Sequence, residues 1–268
     1  MKVRFTTAAL AALTLATANA QMQDNRDKHM TCENSGYNND RAHYCEVREQ
    51  SFPGAGRIIV DAGTNGGTTI KGWLRNDVLV RAKVEAQADS DAEARSITGQ
   101  VRVDTAGGQI TATGPDHSGS SWWSVSYEIF VPQTTDLNLK THNGGISVSD
   151  VRGRMEFGAQ NGGVHLKRVA GEVNGSTVNG GVQVELAGNS WEGRQIQVST
   201  TNGGVTISMP EHYSAHIQTE TVNGGIQSDV PIVMQGNLKP RRLDFNVGSG
   251  GALIHVSTTN GGVRLKRT

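Results

Sequence analysis

Five carboxylates fall inside the most regular part of this sequence: Asp150, Glu156, Glu172, Glu185 and Glu192. Paired carboxylates are the machinery of glycoside hydrolysis, and they work only when two acids face one another at a fixed separation. None of the five recurs at an offset that stacks it on another, so they read as solvated surface acids and no catalytic residue is expected. His142 and His165 flank neighbouring Asn-Gly-Gly triplets, where stacked chain segments would bring the two imidazoles near each other. Two imidazoles without a third ligand make a poor metal site, so no metal or other cofactor is expected. The sequence has no Gly-x-Ser-x-Gly elbow and no phosphate-binding loop. After the triplets come Ile-Ser-Val, Val-His-Leu and Val-Gln-Val, without the Asp that a calcium-binding β-roll places near its glycines.

Contact chemistry has a few more candidates. Lys239, Arg241 and Arg242 form the one basic cluster, in a proline-bounded segment that could meet phosphate or carboxylate groups. Trp122, Trp123 and Trp191 would stack on sugar rings if exposed. Trp191 lies where one repeat is longer than its neighbours, in an expected extruded loop, and is the best single contact candidate. The charge balance, 25 basic against 25 acidic residues, gives no global field to draw in nucleic acid or anionic lipid.

The elements that position these groups follow from pattern and composition. Gly is abundant (34 of 268 residues) and aromatics are 5%, which favours many short strands joined by tight turns over a helical enzyme. The first segment, 1–20, reads as a secretory signal: Lys2 and Arg4, an apolar run from Ala8 to Ala16, then Ala18-Asn19-Ala20 before a cleavage point at Gln21. No segment approaches the length needed to span a bilayer as a helix, and no Cys follows the cleavage point to carry a lipid. The expected location is the periplasm, the cell surface or the exterior. Cys32 and Cys45 are then expected to form a disulfide, since their spacing is not that of a C-x-x-C redox or metal pair. They sit in a polar lead-in, 21–55, that lacks strand alternation and is expected to be a poorly ordered tether.

Self-similarity is the strongest signal. Asn-Gly-Gly followed by a β-branched residue begins at Asn65, Asn143, Asn161, Asn179, Asn202, Asn223 and Asn260, and the steps from Asn143 to Asn161 to Asn179 are both 18 residues. Ile146-Ser147-Val148 and Val164-His165-Leu166 alternate as half-buried strands do. A second glycine, Gly153 or Gly171, falls about half a period later. Each repeat is therefore two short strands and two corners, with the triplet glycines expected to supply positive φ. Two architectures fit: an all-β solenoid of repeats of about 18–23 residues, and a long antiparallel meander with Asn-Gly hairpins. The solenoid is favoured, because it encloses its apolar face and stacks the Asn residues into a ladder. Repeats span 136–268, with about two irregular coils between Asn223 and Asn260 and a charged final strand, Val263 to Arg267, that discourages edge addition. Residues 56–135 read as a β cap with strands near Arg57 to Asp61, Thr68 to Leu74 and Val78 to Val84, one strand carrying Val125, Tyr127, Ile129 and Val131, and one helix opened by Ser90 and Glu93.

These residues resemble the bacterial "putative adhesin" family of unknown function, a β-strand-repeat family of envelope proteins. The resemblance rests on the triplets from Asn143 to Asn260, the stretch Val60 to Gly67, the strand Trp123 to Tyr127 and the turn Ser249-Gly250-Gly251. It covers most of 56–268. It implies a solenoid-like fold and an envelope location, and it brings no catalytic residues. The leading expectation is a non-enzymatic binding or structural module that presents a rigid β scaffold to an envelope glycan or protein. Its rivals are a periplasmic regulatory or stress partner and a glycan-active enzyme on the same scaffold.

Overall fold

The computed structural model describes residues 30–33, 41–116, 119–230 and 241–268; the segment 1–20, expected to be a secretory signal, lies outside them. The first half builds an end-piece and one true coil. Strand β1 (Ala42–Pro53) precedes β2 (Arg57–Asp61) and β3 (Thr68–Trp73), which flank the Asn65 corner. The chain then departs through β4 (Asp77–Ala88), helix α1 (Asp91–Gln100), β5 (Arg102–Asp104), β6 (Gln109–Thr113) and β7 (Trp122–Pro132). Ser90 opens the helix by accepting from the Glu93 amide at 3.2 Å, while Glu93 Oε2 reaches back to the Asp89 amide at 3.4 Å. Arg48 closes its far end, donating to the Thr98 carbonyl at 2.8 Å and to that of Val101.

The lead-in is not a tether throughout. From Ala42 onward it is a 12-residue strand, paired antiparallel with β4 along its whole length. Alternation is hidden there because long polar side chains make its contacts: Glu49 accepts from Arg81 at 2.8 Å, and Arg48 caps α1. Cys45 in this strand is bonded to Cys32, 13 residues earlier, with 5.8 Å between the Cα atoms.

The repeats follow as coils: β8 (Asp136–Asn143) and β9 (Ile146–Ser149), β10 (Arg152–Asn161) and β11 (Val164–Lys167), β12 (Ala170–Asn179) and β13 (Val182–Glu185), β14 (Gly193–Asn202) and β15 (Val205–Met209). Each coil lays one strand in each of two ten-stranded sheets. Like strands pair in parallel and in register, Asn161 beside Asn143 and Asn179, Val164 beside Ile146 and Val182. Parallel neighbours exclude the antiparallel meander. The architecture is a two-walled parallel β-solenoid, closed at one end by the antiparallel strands β7, β4 and β1. Its core lies between the walls, with Leu137, Leu139 and Val173 from one sheet meeting Ile146, Val148 and Leu166 from the other, each at most 2% exposed. Full burial of such a side chain contributes about 1.5–3 kcal/mol.

Stacking order departs from chain order at the far end. After β16 (Ala215–Thr221) and β17 (Ile226–Ser228), the strand β18 (Arg242–Val247) doubles back antiparallel on β16. A turn through Gly248, Gly250 and Gly251, all with positive φ, then leads to β19 (Leu253–Asn260) and β20 (Val263–Arg267). This last coil inserts between β14–β15 and β16–β17. The strand expected to end the stack, β20, is therefore an interior strand. The two irregular coils expected between Asn223 and Asn260 are a capping strand, the described β18, and the return to β19.

Candidate functional site

All seven triplet asparagines stand on one edge of the stack and are linked side chain to side chain. From Asn143 onward each Nδ2 donates to the Oδ1 of the coil on its cap side: Asn143 to Asn65 at 2.9 Å, Asn161 to Asn143 at 2.8 Å, then Asn179 to Asn161 and Asn202 to Asn179 at 2.7 Å. The order then follows space and not sequence, Asn260 to Asn202 at 2.7 Å and Asn223 to Asn260 at 2.9 Å. A buried threonine two residues before the triplet adds a second ladder. The hydroxyls of Thr141, Thr177, Thr200, Thr258 and Thr221 donate at 2.7 Å to the carbonyls of Gly66, Gly162, Gly180, Gly203 and Gly261.

The triplet glycines serve a different need from the one expected. None has positive φ. A Cβ on Gly162 would instead lie 1.9 Å from the Gly144 carbonyl oxygen, and one on Gly203 would lie 2.2 Å from that of Gly180. The corners pack backbone on backbone, and hydrogen replaces Cβ because there is no room. Left-handed backbone occurs at the opposite corner, partly on non-glycine residues: Asp150 (φ 59°) and Arg168 (φ 49°), joined by two hydrogen bonds of 2.7 Å.

The structure disperses the residues considered for chemistry. Asp150 is held by Arg168, Glu156 by Arg154 at 2.9 Å, Glu185 by Lys167 at 2.9 Å, Glu172 by Arg194 at 3.8 Å, and Glu192 by Arg152. The Lys167 ammonium holds the Glu185 carboxyl below its usual range; burial opposes this and His165 assists. His142 and His165 do not approach through stacking, because β8 and β11 belong to opposite sheets. The Trp191 side chain is buried, where an exposed loop was expected. Its indole folds back from the loop to 7% exposure, and Nε1 donates to the Gly171 carbonyl at 3.0 Å. Trp122 and Trp123 are half-buried, donating to Gln87 at 2.9 Å and to the Pro115 carbonyl at 2.8 Å. The basic cluster is not assembled among the described residues: Lys239 lies outside them, Arg241 is exposed, and Arg242 pairs in register with Glu220.

What the coils do build is a trough, formed by the outward rows of the sheet containing β8, β10, β12, β14 and β19. Its floor is small: Gly158, Ser176, Ser199 and Ser257 stand in register across β10, β12, β14 and β19. One wall is a row of longer polar groups in register, Asn138, Glu156, Asn174, Gln197 and His255. The other wall carries His142, Gln160 and Val178, beside the corner ladder. Lys140 and Asp61 stand at the cap end. The groove encloses about 1000 Å³ and runs across the strands, along the solenoid axis. Five strands at about 4.8 Å give it a length near 20 Å. The opposite sheet has a smaller groove, about 670 Å³, but the chain's own Met30, two residues from the disulfide, lies in it.

The trough was legible only in part. Gly158, Ser176, Ser199 and Ser257 precede their triplet asparagines by three residues, and Thr141, Thr177, Thr200 and Thr258 precede them by two. Aligning the residues before each triplet, and not only those after it, exposes both rows.

A repetitive parallel β-solenoid with a stacked amide edge and a polar axial groove is the class that this fold and surface define. The chain belongs to the Toastrack DUF4097 family, whose model matches residues 84–266. Two solved structures are similar over most of their lengths. A "putative cell adhesion protein" from Clostridium sporogenes shares 12% identity, with 84% of this chain and 100% of that one covered and a TM-score of 0.43. A "putative adhesin" from Bacteroides fragilis shares 10% identity, with 83% and 97% covered and a TM-score of 0.32. No curated protein matches the chain.

Proposed function

We propose that this protein is an exported, adhesin-like binding module of the cell envelope, without catalytic activity, that holds a linear, largely uncharged glycan along the axial trough. The observation that carries this reading is the lining: a hydroxyl and glycine floor between rows made mainly of amides and imidazoles, with Glu156 among them and Lys140 and Asp61 at the cap end. Amides offer donors and acceptors together, which suits the hydroxyls and N-acetyl groups of a sugar chain. The small floor admits a ring, and the in-register walls repeat the same contacts every coil. Rigidity supports the reading as well, since a preorganised surface loses little entropy on binding. Export is supported by the signal-like segment 1–20 and by the Cys32–Cys45 bond, which belongs to an oxidising compartment.

The test is sedimentation of the purified protein, from Gln21 onward, with insoluble envelope polysaccharides. Retention by neutral or N-acetylated glycans, released by soluble fragments of the same chain, is the expected result. Complete recovery in the supernatant, with stoichiometric capture of one envelope protein instead, would replace it with the regulatory-partner reading. Protease shaving of intact cells then separates surface from periplasm.

A further inference from the structure

We propose that Asn223 is a site of spontaneous intramolecular modification, closing on the backbone nitrogen of Gly224 and opening to aspartate or isoaspartate. This inference is independent of what the trough binds. The Gly224 nitrogen loses its proton and forms a bond to Asn223 Cγ; the Cγ–Nδ2 bond breaks and ammonia leaves. One water then adds across either imide C–N bond. The net change is one water in and one ammonia out, with no oxidant, reductant or enzyme.

The seven corners share the reactive Asn-Gly sequence and differ in their place in the stack. In five of them the first glycine's N–H is tied to an asparagine carbonyl of the next coil: Gly66 to Asn143 at 3.2 Å, Gly144 to Asn161 at 3.1 Å, Gly162 to Asn179 and Gly180 to Asn202 at 3.0 Å, and Gly203 to Asn260 at 3.1 Å. That bond holds the proton that must leave. From Asn143 to Asn260 along the stack, the side chain is also gripped on both sides by ladder neighbours, so it cannot swing toward its own backbone.

Asn223 has neither restraint in full. It donates to Asn260 at 2.9 Å, and among the described residues its Oδ1 accepts from no further ladder neighbour. Gly224 makes no backbone hydrogen bond through its N–H among the described residues. Gly224 is exposed, whereas the first glycine of every other triplet is half-buried or buried. Asn65, at the opposite end of the ladder, is the internal control: its side chain also has one ladder neighbour, but Gly66 is buried and its N–H is bonded. Asn260 is intermediate, with its side chain gripped on both sides but no such backbone bond from Gly261.

The experiment is peptide mapping by mass spectrometry after incubating the native protein at mildly alkaline pH, with isoaspartate scored by enzymatic methylation. The Asn223 peptide should gain about one dalton at least about fivefold faster than the Asn143, Asn161, Asn179 and Asn202 peptides, the factor that one lost amide hydrogen bond is worth. Asn260 should fall between. In denaturant the seven rates should converge. Asn223→Gln should abolish the leading signal and leave the Asn143, Asn161, Asn179 and Asn202 rates unchanged. Equal native rates, a faster interior corner, or differences that persist in denaturant would overturn the proposal.

Discussion

Asn161 is held twice, donating to Asn143 and accepting from Asn179, and its loss should be felt by both neighbours. Asn161→Ala is expected to cost about 1–2 kcal/mol, read by urea unfolding, with Asn223→Ala costing roughly half as much because one bond is lost. Thr177→Val keeps shape but leaves the Gly162 carbonyl without its hydroxyl donor, for about 1 kcal/mol. Two glycines near each other separate the roles of the residue. Gly162→Ala forces a Cβ to 1.9 Å from a carbonyl oxygen and should cost about 3 kcal/mol or prevent folding. Gly158→Ala meets nothing within 4 Å and should fold like the parent. This contrast also shows what sequence could give: repetition placed the seven corners, but close approach and positive φ are different reasons for glycine. Only coordinates tell them apart.

At the scale of elements, β1 and the Trp191 loop mark where patterning falls silent. Strand β1 makes its contacts with Arg48, Glu49 and Cys45, so no apolar period betrays it, and a tryptophan in a long repeat looks exposed until its ring is seen to fold back. Helix α1 and strand β2 were legible because a capping box and alternation are local signals. Reducing the Cys32–Cys45 bond should lower stability by up to about 3 kcal/mol, measured by thermal melting with and without reductant. Glu185 on β13 predicts an acid response. Its carboxyl is held below the usual range, chiefly by Lys167, so its contribution is complete above the unfolded pKa and is lost as pH falls through the lower folded value. Glu185→Gln should therefore lower stability near neutrality and flatten the fall of the profile below about pH 4.

On the scale of the whole molecule, the solenoid turns one short pattern into two long features, a rigid amide edge and a groove about 20 Å in length. Insertion of the last coil between earlier ones was invisible in the sequence, because β19 and β20 carry the same pattern as any other coil and nothing local records their neighbours. The proposed contact surface is the groove. The most direct measurement compares glycan retention by the parent with that of a double variant, Ser176→Ile with Ser199→Ile, whose β-branched side chains suit a strand and fill the floor. A melting temperature close to the parent's with retention reduced at least tenfold, about 1.4 kcal/mol of binding, is the predicted result. A folded variant that binds the same glycan as tightly as the parent would contradict the account.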